Sequence, residues 1–234
     1  MRGFLRWLAT VLMIAGVLLI VDAIIAVTWQ EPVSAFLAQR SQDQLEGDLD
    51  ALAEKAPTPL EQRALESLPT EGKRLRYLAR RAREGLEPGD AIGRISLPSL
   101  DRRYVMVNGV SLADLRRGPG VYDDTELPGE GGTVGVAGHR TTYGAPFRDI
   151  DDLEPGDRIE LQMPYGDFTY VVQRSEIVEP TDLSVIDDVG YERLVLTACH
   201  PLYSAAQRIV VYARLAEAVP TRRISDTETA ASRR

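Results

Sequence analysis

The chain has 234 residues, 44% of them hydrophobic and 26% charged, with a formal net charge of −8. That acidic balance excludes a general nucleic-acid binder, since neutralising phosphates needs a basic face; the length suits one folded core with accessory segments. One cysteine, Cys199, and two histidines, His139 and His200, leave few combinations for thiol or metal chemistry.

Residues 1–6 carry Arg2 and Arg6, and residues 7–29 read "WLATVLMIAGVLLIVDAIIAVTW". At about 1.5 Å rise per residue this run matches a hydrocarbon core of about 30 Å, so a single transmembrane anchor is predicted. It is longer than the about 7 to 15 apolar residues of a cleaved signal peptide. Arginines precede the span and Glu31 follows it, which places the N-terminus in the cytoplasm and the remainder outside the cell membrane. Asp22, near the outer end, reads as a tolerated charge within reach of the interface.

Residues 30–87 shift to Ala, Leu, Glu, Gln and Arg, interrupted by Pro57, Pro59 and Pro69. Two or three helices forming a stalk are predicted, with a narrow apolar stripe through Phe36, Leu45, Leu49 and Leu52 that suits a spacer or a helix laid against a domain. Over residues 88–216 the texture becomes short alternating runs broken by Gly, Pro and Asp, which predicts an all-β domain. The strands are "DAIGRISLPSL", "RYVMVNG", "GTVGVAGH", a hairpin within "DRIELQMPYGDFTYVVQRSEIVEP", "RLVLTAC" and "RIVVYARLA". "SLADLRRGPG" predicts a short helix closed by glycine. Residues 217–234 are polar and predict a disordered tail.

An extracytoplasmic chain with one thiol holds a reactive cysteine, an intermolecular bridge or a buried structural residue. A free thiol is mostly protonated at neutral pH, and a nearby imidazole or cation makes it a competent nucleophile. Cys199 closes one predicted strand and Arg208 opens the next, so neighbouring strands bring a guanidinium to the sulfur, where it would stabilise a thiolate or an oxyanion. His139 also follows a strand, whereas His200, adjacent to Cys199, points to the opposite side. One Cys and two His do not complete a tetrahedral zinc site. The pair Asp151 and Asp152 reads as solvated surface.

The order His, Cys, Arg, with "LTACHP", "GHR" followed by "YGAPF", and an arginine nine residues after the cysteine, resembles the sortases, membrane-anchored cysteine transpeptidases of Gram-positive bacteria. "TACHP", "YSAAQR" and "HRTTYGAPF" are most similar to class E, the actinobacterial housekeeping type, with class D as the alternative. The resemblance implies an eight-stranded β-barrel with short helices and no cofactor. It implies that Cys199 attacks the Thr–Gly bond of a Leu-Ala-x-Thr-Gly or Leu-Pro-x-Thr-Gly sorting signal on a surface protein. The resulting thioacyl enzyme passes its acyl group to an amine of a cell-wall precursor or a pilin lysine. By the same carry-over, His139 is the acid and base and Arg208 orients substrate and stabilises the oxyanion. Tyr143, Thr197 and Ala198 are the substrate-binding positions. Ala198 stands where many sortases carry Thr, which removes a hydroxyl next to the thiol.

Two other readings stay open. An L,D-transpeptidase also places His before Cys on a β-rich fold, but its usual glycine before the cysteine is Ala198 here. A non-catalytic wall-associated scaffold would keep the barrel without using the thiol.

Overall fold

The alternating runs beyond residue 90 close into one barrel, in a computed structural model that describes residues 2–28, 32–54 and 58–221. Its strands are β1 (Ala91–Leu97), β2 (Arg102–Asn108), β3 (Gly120–Val121), β4 (Thr133–Ala137), β5 (Arg158–Met163), β6 (Gly166–Val178), β7 (Arg193–His200) and β8 (Gln207–Pro220). They close in the order β1-β2-β3-β4-β7-β8-β6-β5. Closure removes the exposed edges that an open sheet would present. β2–β3 and β4–β7 pair in parallel and the other neighbours antiparallel.

β5 shows why alternation specifies the wall: Ile159, Leu161 and Met163 are buried while the residues between them are exposed. Along β7 the two faces separate into two clusters. Leu194, Leu196 and Ala198 join the barrel interior, whereas Val195 packs outside with Val210 and Tyr212 of β8. The predicted hairpin is present, with Met163 paired to Gly166 across Pro164 and Tyr165. The predicted short helix is α5 (Leu112–Leu115), capped by Ser111 and Asp114 in a reciprocal capping box.

Helix α1 (Arg2–Thr28) contains the 19-residue stretch Gly3–Val21, of mean hydropathy 2.4 and with none of it buried, which is long and apolar enough to cross a membrane. Trp29 lies outside the described residues. Three helices follow: α2 (Pro32–Glu54), α3 (Pro59–Ser67) and α4 (Glu71–Glu84).

These helices do not stand clear of the barrel as a stalk. Leu45 and Leu49, one turn apart on α2, are fully buried against Ala91, Val105 and Val107. Leu75 and Ala79 on α4 belong to the main core, so the cut at residue 88 divides one hydrophobic unit. Burying each Leu stabilises the packed state by about 1.5–3 kcal/mol, and that outweighs solvated attachment. Gln42 adds a polar lock. β3 reaches only Val107 and Asn108 of β2, and the Gln42 amide serves the β2 backbone at Val105 in place of a strand. It accepts from Val105 N at 2.7 Å and donates to Val105 O at 3.1 Å and Arg117 O at 2.7 Å. Arg94 also reaches Glu46 and Asp50, but both carboxylates are substantially exposed, so these pairs add at most about 1 kcal/mol each.

The carboxyl end also differs from expectation. Residues 217–220 are strand, because β8 pairs with the long β6 as far as Pro220 opposite Gly166. Residues 222–234 of the predicted tail lie outside the described residues.

Candidate active site

β4 and β7 lie side by side in parallel, and Ala137 stands opposite Thr197. The ladder continues past the end of β4, where Gly138 N donates to Thr197 O at 3.0 Å. His139 comes next on this chain, its carbonyl accepting from Phe147 N at 2.9 Å, and it leaves the barrel at the same end as Cys199. On the other side of β7, Cys199 is the direct partner of Arg208 in the antiparallel β7–β8 register. The end of β4 and the β7–β8 hairpin, 60 residues further along the chain, therefore deliver imidazole, thiol and guanidinium to one end of the barrel.

Alternation sets the directions. Val195 faces outward and Ala198 inward, so Cys199 faces outward with Thr197 and Val195, and Arg208 outward with Val210 and Tyr212. Cys199 is free and partly exposed, as a thiol that meets a substrate must be. The Arg208 Nη1 donates to the carbonyls of Ala205 and Gln207 at 3.1 and 3.0 Å, which holds the β7–β8 loop and fixes where its guanidinium starts.

His139 is half-buried, and its Nε2 is shielded from solvent without a hydrogen-bond partner among the described residues. Desolvation, helped by the nearby Arg116 cation, lowers its pKa below the ordinary 6.5 and favours neutral imidazole. The Tyr143 ring lies tilted against His139 with centroids 5.3 Å apart, and Arg116 sits over the Tyr143 ring at 5.6 Å. Tyr143 has φ of 51°, Gly144 76° and Ala145 43°, a left-handed run that turns this loop sharply back toward the barrel. The Tyr104 hydroxyl donates to Gly144 O at 3.3 Å. A cleft between α2 and this loop is lined by Ala38, Gln39, Gln42, Tyr104, Tyr143 and Gly144.

The other two proposed substrate positions sit deeper. Thr197 is 4% exposed and its hydroxyl is 2.8 Å from that of Tyr122. Ala198 packs its methyl into the barrel core, so its side chain faces away from the thiol's surface. A Thr at position 198 would likewise direct its side chain inward.

His200 takes the opposite face from Cys199, as strand geometry requires. Its Nδ1 is 3.3 Å from Nη1 of Arg140, and Arg140 pairs with Asp151. Asp151 is thus not simply solvated surface; it is the counter-charge of a guanidinium that is 3% exposed. Sequence reading missed Arg116, Tyr122 and Arg140. Only Arg140 carried a local signal, being next to His139 at a strand end and so directed to the other face.

The family model for the sortase domain matches residues 95–216, more than half of the chain. The chain belongs to the sortase family. Sortase D of Bacillus subtilis is 35% identical over 132 residues, covering 55% of this chain and 65% of that protein. Sortase SrtE1 of Streptomyces coelicolor is 32% identical over 157 residues, covering 60% of this chain and 45% of that protein. The chain thus spans less than two thirds of either relative. The crystal structure of Sortase E1 from Streptomyces coelicolor, with a tripeptide in the active site, is 30% identical. It covers 58% of this chain and 94% of that one, with a TM-score of 0.55.

Proposed function

We propose that the chain is a membrane-anchored cysteine transpeptidase in which Cys199, His139 and Arg208 carry the reaction. The observation that supports this most directly is the register: Cys199 is the direct partner of Arg208 across the antiparallel ladder, and His139 follows the end of the β4 strand that pairs in parallel with β7.

In this reading neutral His139 takes the thiol proton as the Cys199 sulfur attacks the carbonyl carbon of Thr in the sorting signal. Arg208 donates to the developing oxyanion, which a planar cationic fork stabilises more strongly than a neutral donor. Collapse breaks the Thr–Gly C–N bond. The Gly amine leaves with the proton returned by His139, whose lowered pKa makes the imidazolium a willing acid. An incoming amine then loses a proton to His139 and attacks the thioester, and the sulfur departs as the thiol.

Residues 1–6 are assigned to the cytoplasm, residues 7–29 to the anchor and the barrel to the outer side of the membrane, supported by the apolar helix and the flanking charges. The assignment to class E, with a preference for Leu-Ala-x-Thr-Gly, draws on "HRTTYGAPF" and the likeness to Sortase E1. Tyr143, beside His139, is the side chain assigned to the second residue of the signal. Surface proteins bearing such signals are the acyl donors, and a cell-wall amine is the acceptor.

The test is mass spectrometry of the full chain in detergent micelles with a Leu-Ala-x-Thr-Gly peptide, its Leu-Pro-x-Thr-Gly analogue and an amine, beside Cys199→Ala. A Cys199-dependent product cut after Thr and joined to the amine is expected. Equal product from the Ala variant would refute the assignment.

A further inference from the structure

A guanidinium that is 3% exposed is held only if its donors find partners, because stranding a charge away from water is costly. Arg140 meets that demand with three groups. Its Nε donates to the Arg148 carbonyl at 3.0 Å, its Nη2 pairs with the Asp151 carboxylate, and its Nη1 lies 3.3 Å from Nδ1 of His200. Arginine has no acceptor, so in this bond Nδ1 of His200 accepts.

The position of this bond within the register gives it meaning. The β4–β7 ladder ends at Ala137 opposite Thr197, with one further bond from Gly138 N to Thr197 O; beyond it His139 and Arg140 follow on one chain, and Cys199 and His200 on the other. Successive side chains point to opposite faces. His139 and Cys199 are thus each followed, one residue on, by Arg140 and His200, which are joined by a direct hydrogen bond. Asp151 and the Arg148 carbonyl fasten the same guanidinium to the loop beneath.

We propose that Arg140 is a positioning residue for acyl transfer: by gripping His200 on the face of β7 opposite the thiol it fixes the separation of the two strand ends that carry His139 and Cys199. This rests on His139 and Cys199 being the reacting pair. Neither Arg140 nor His200 touches substrate; they act through the backbone that presents the other two.

The full chain in detergent micelles, as wild type, His200→Asn, His200→Leu and Arg140→Met, is assayed in two ways. One is kcat and KM with a Leu-Ala-x-Thr-Gly peptide and an amine. The other is the rate of Cys199 alkylation by iodoacetamide as a function of pH. Asn places its amide oxygen near the position of Nδ1 and keeps the acceptor, whereas Leu removes it. His200→Leu is expected to lower kcat about 10- to 100-fold, the scale of a small misplacement of reacting groups, with KM within about twofold. It also shifts the pH profile of alkylation, and His200→Asn recovers most of both. Combining Arg140→Met with His200→Leu adds little to either alone. The proposal is overturned if Asn and Leu behave alike, if kcat falls only in proportion to the folded fraction, or if the alkylation profile of His200→Leu matches wild type. Should Arg140→Met fail to fold, the two His200 variants decide. Should wild type turn over neither sorting peptide, the substrate reading fails, and the alkylation arm still judges the clamp.

Discussion

Cys199 and Arg208 stand opposite one another in the β7–β8 ladder, the last residues but one of their pairing before the loop at 201–206. Cross-strand partners have Cβ atoms about 4.5–5.5 Å apart, so the two side chains leave the ladder side by side, with the guanidinium held by the Ala205 and Gln207 carbonyls. Arg208→Lys is therefore expected to lose at least about 100-fold in kcat/KM, because a point-charge ammonium does not reproduce the donor fork aimed at an oxyanion. Steady-state kinetics with unchanged melting temperature checks this, and near wild-type turnover would remove Arg208 from the reaction.

Acidification is expected to destabilise the fold through His139. Its folded pKa lies below the ordinary 6.5, so the unfolded chain takes up the proton first as the pH falls. The contribution of neutral His139 is complete above 6.5 and is lost as the pH drops through the folded value. Between pH 8 and pH 5 the melting temperature of wild type should fall further than that of His139→Gln. Parallel curves would show that burial of this ring is not what sets its titration. Arg116→Gln, by removing the second cause, should move the acid limb of kcat/KM to higher pH.

The docked helices make a stability prediction. Leu45→Ala should cost about 2–5 kcal/mol as a large-to-small core change, and Gln42→Ala about 1–3 kcal/mol for the Val105 amide left without a partner. A fragment beginning at residue 88 lacks Leu45, Leu49, Leu75 and Ala79, all buried. It should denature at markedly lower urea concentration than one beginning at residue 32. Equal midpoints would mean that the helices only rest on the barrel.

Gly138→Ala tests the approach of the His139 segment to the core. A Cβ there would lie 2.5 Å from the Phe147 ring, which is itself fully buried and has no room to retreat. Overpacking of this kind costs about 1–3 kcal/mol, and here the displaced backbone is the one carrying His139. Activity should fall further than the loss of folded protein accounts for.

Much of the barrel was legible because its strands are half-buried and alternate. The strand at Gly120 and Val121 was not, since two residues show no period. The placement of α2 and α4 was ambiguous for a related reason: Leu45 and Leu49 make a stripe only one turn long, which a spacer and a docked helix share. At the site, His139, Cys199 and Arg208 were readable from their places at strand ends. Arg116 was not, because its proximity to His139 comes from a loop fold and the Tyr143 ring that touches both. Ala198 was read as a substrate position although alternation turns it inward from Cys199, and the Tyr122 hydroxyl that meets Thr197 lies 75 residues away in sequence.

The parallel pairing of β4 with β7 has a consequence for how the site comes into being. Parallel neighbours are never joined by a tight turn, and here the two strand ends are 60 residues apart. No local segment can bring imidazole to thiol before the intervening β5 and β6 are laid down, and non-local pairings of this sort form late. A nascent or partly unravelled chain therefore has the thiol without its proposed partner, and the two come together only with closure of the barrel.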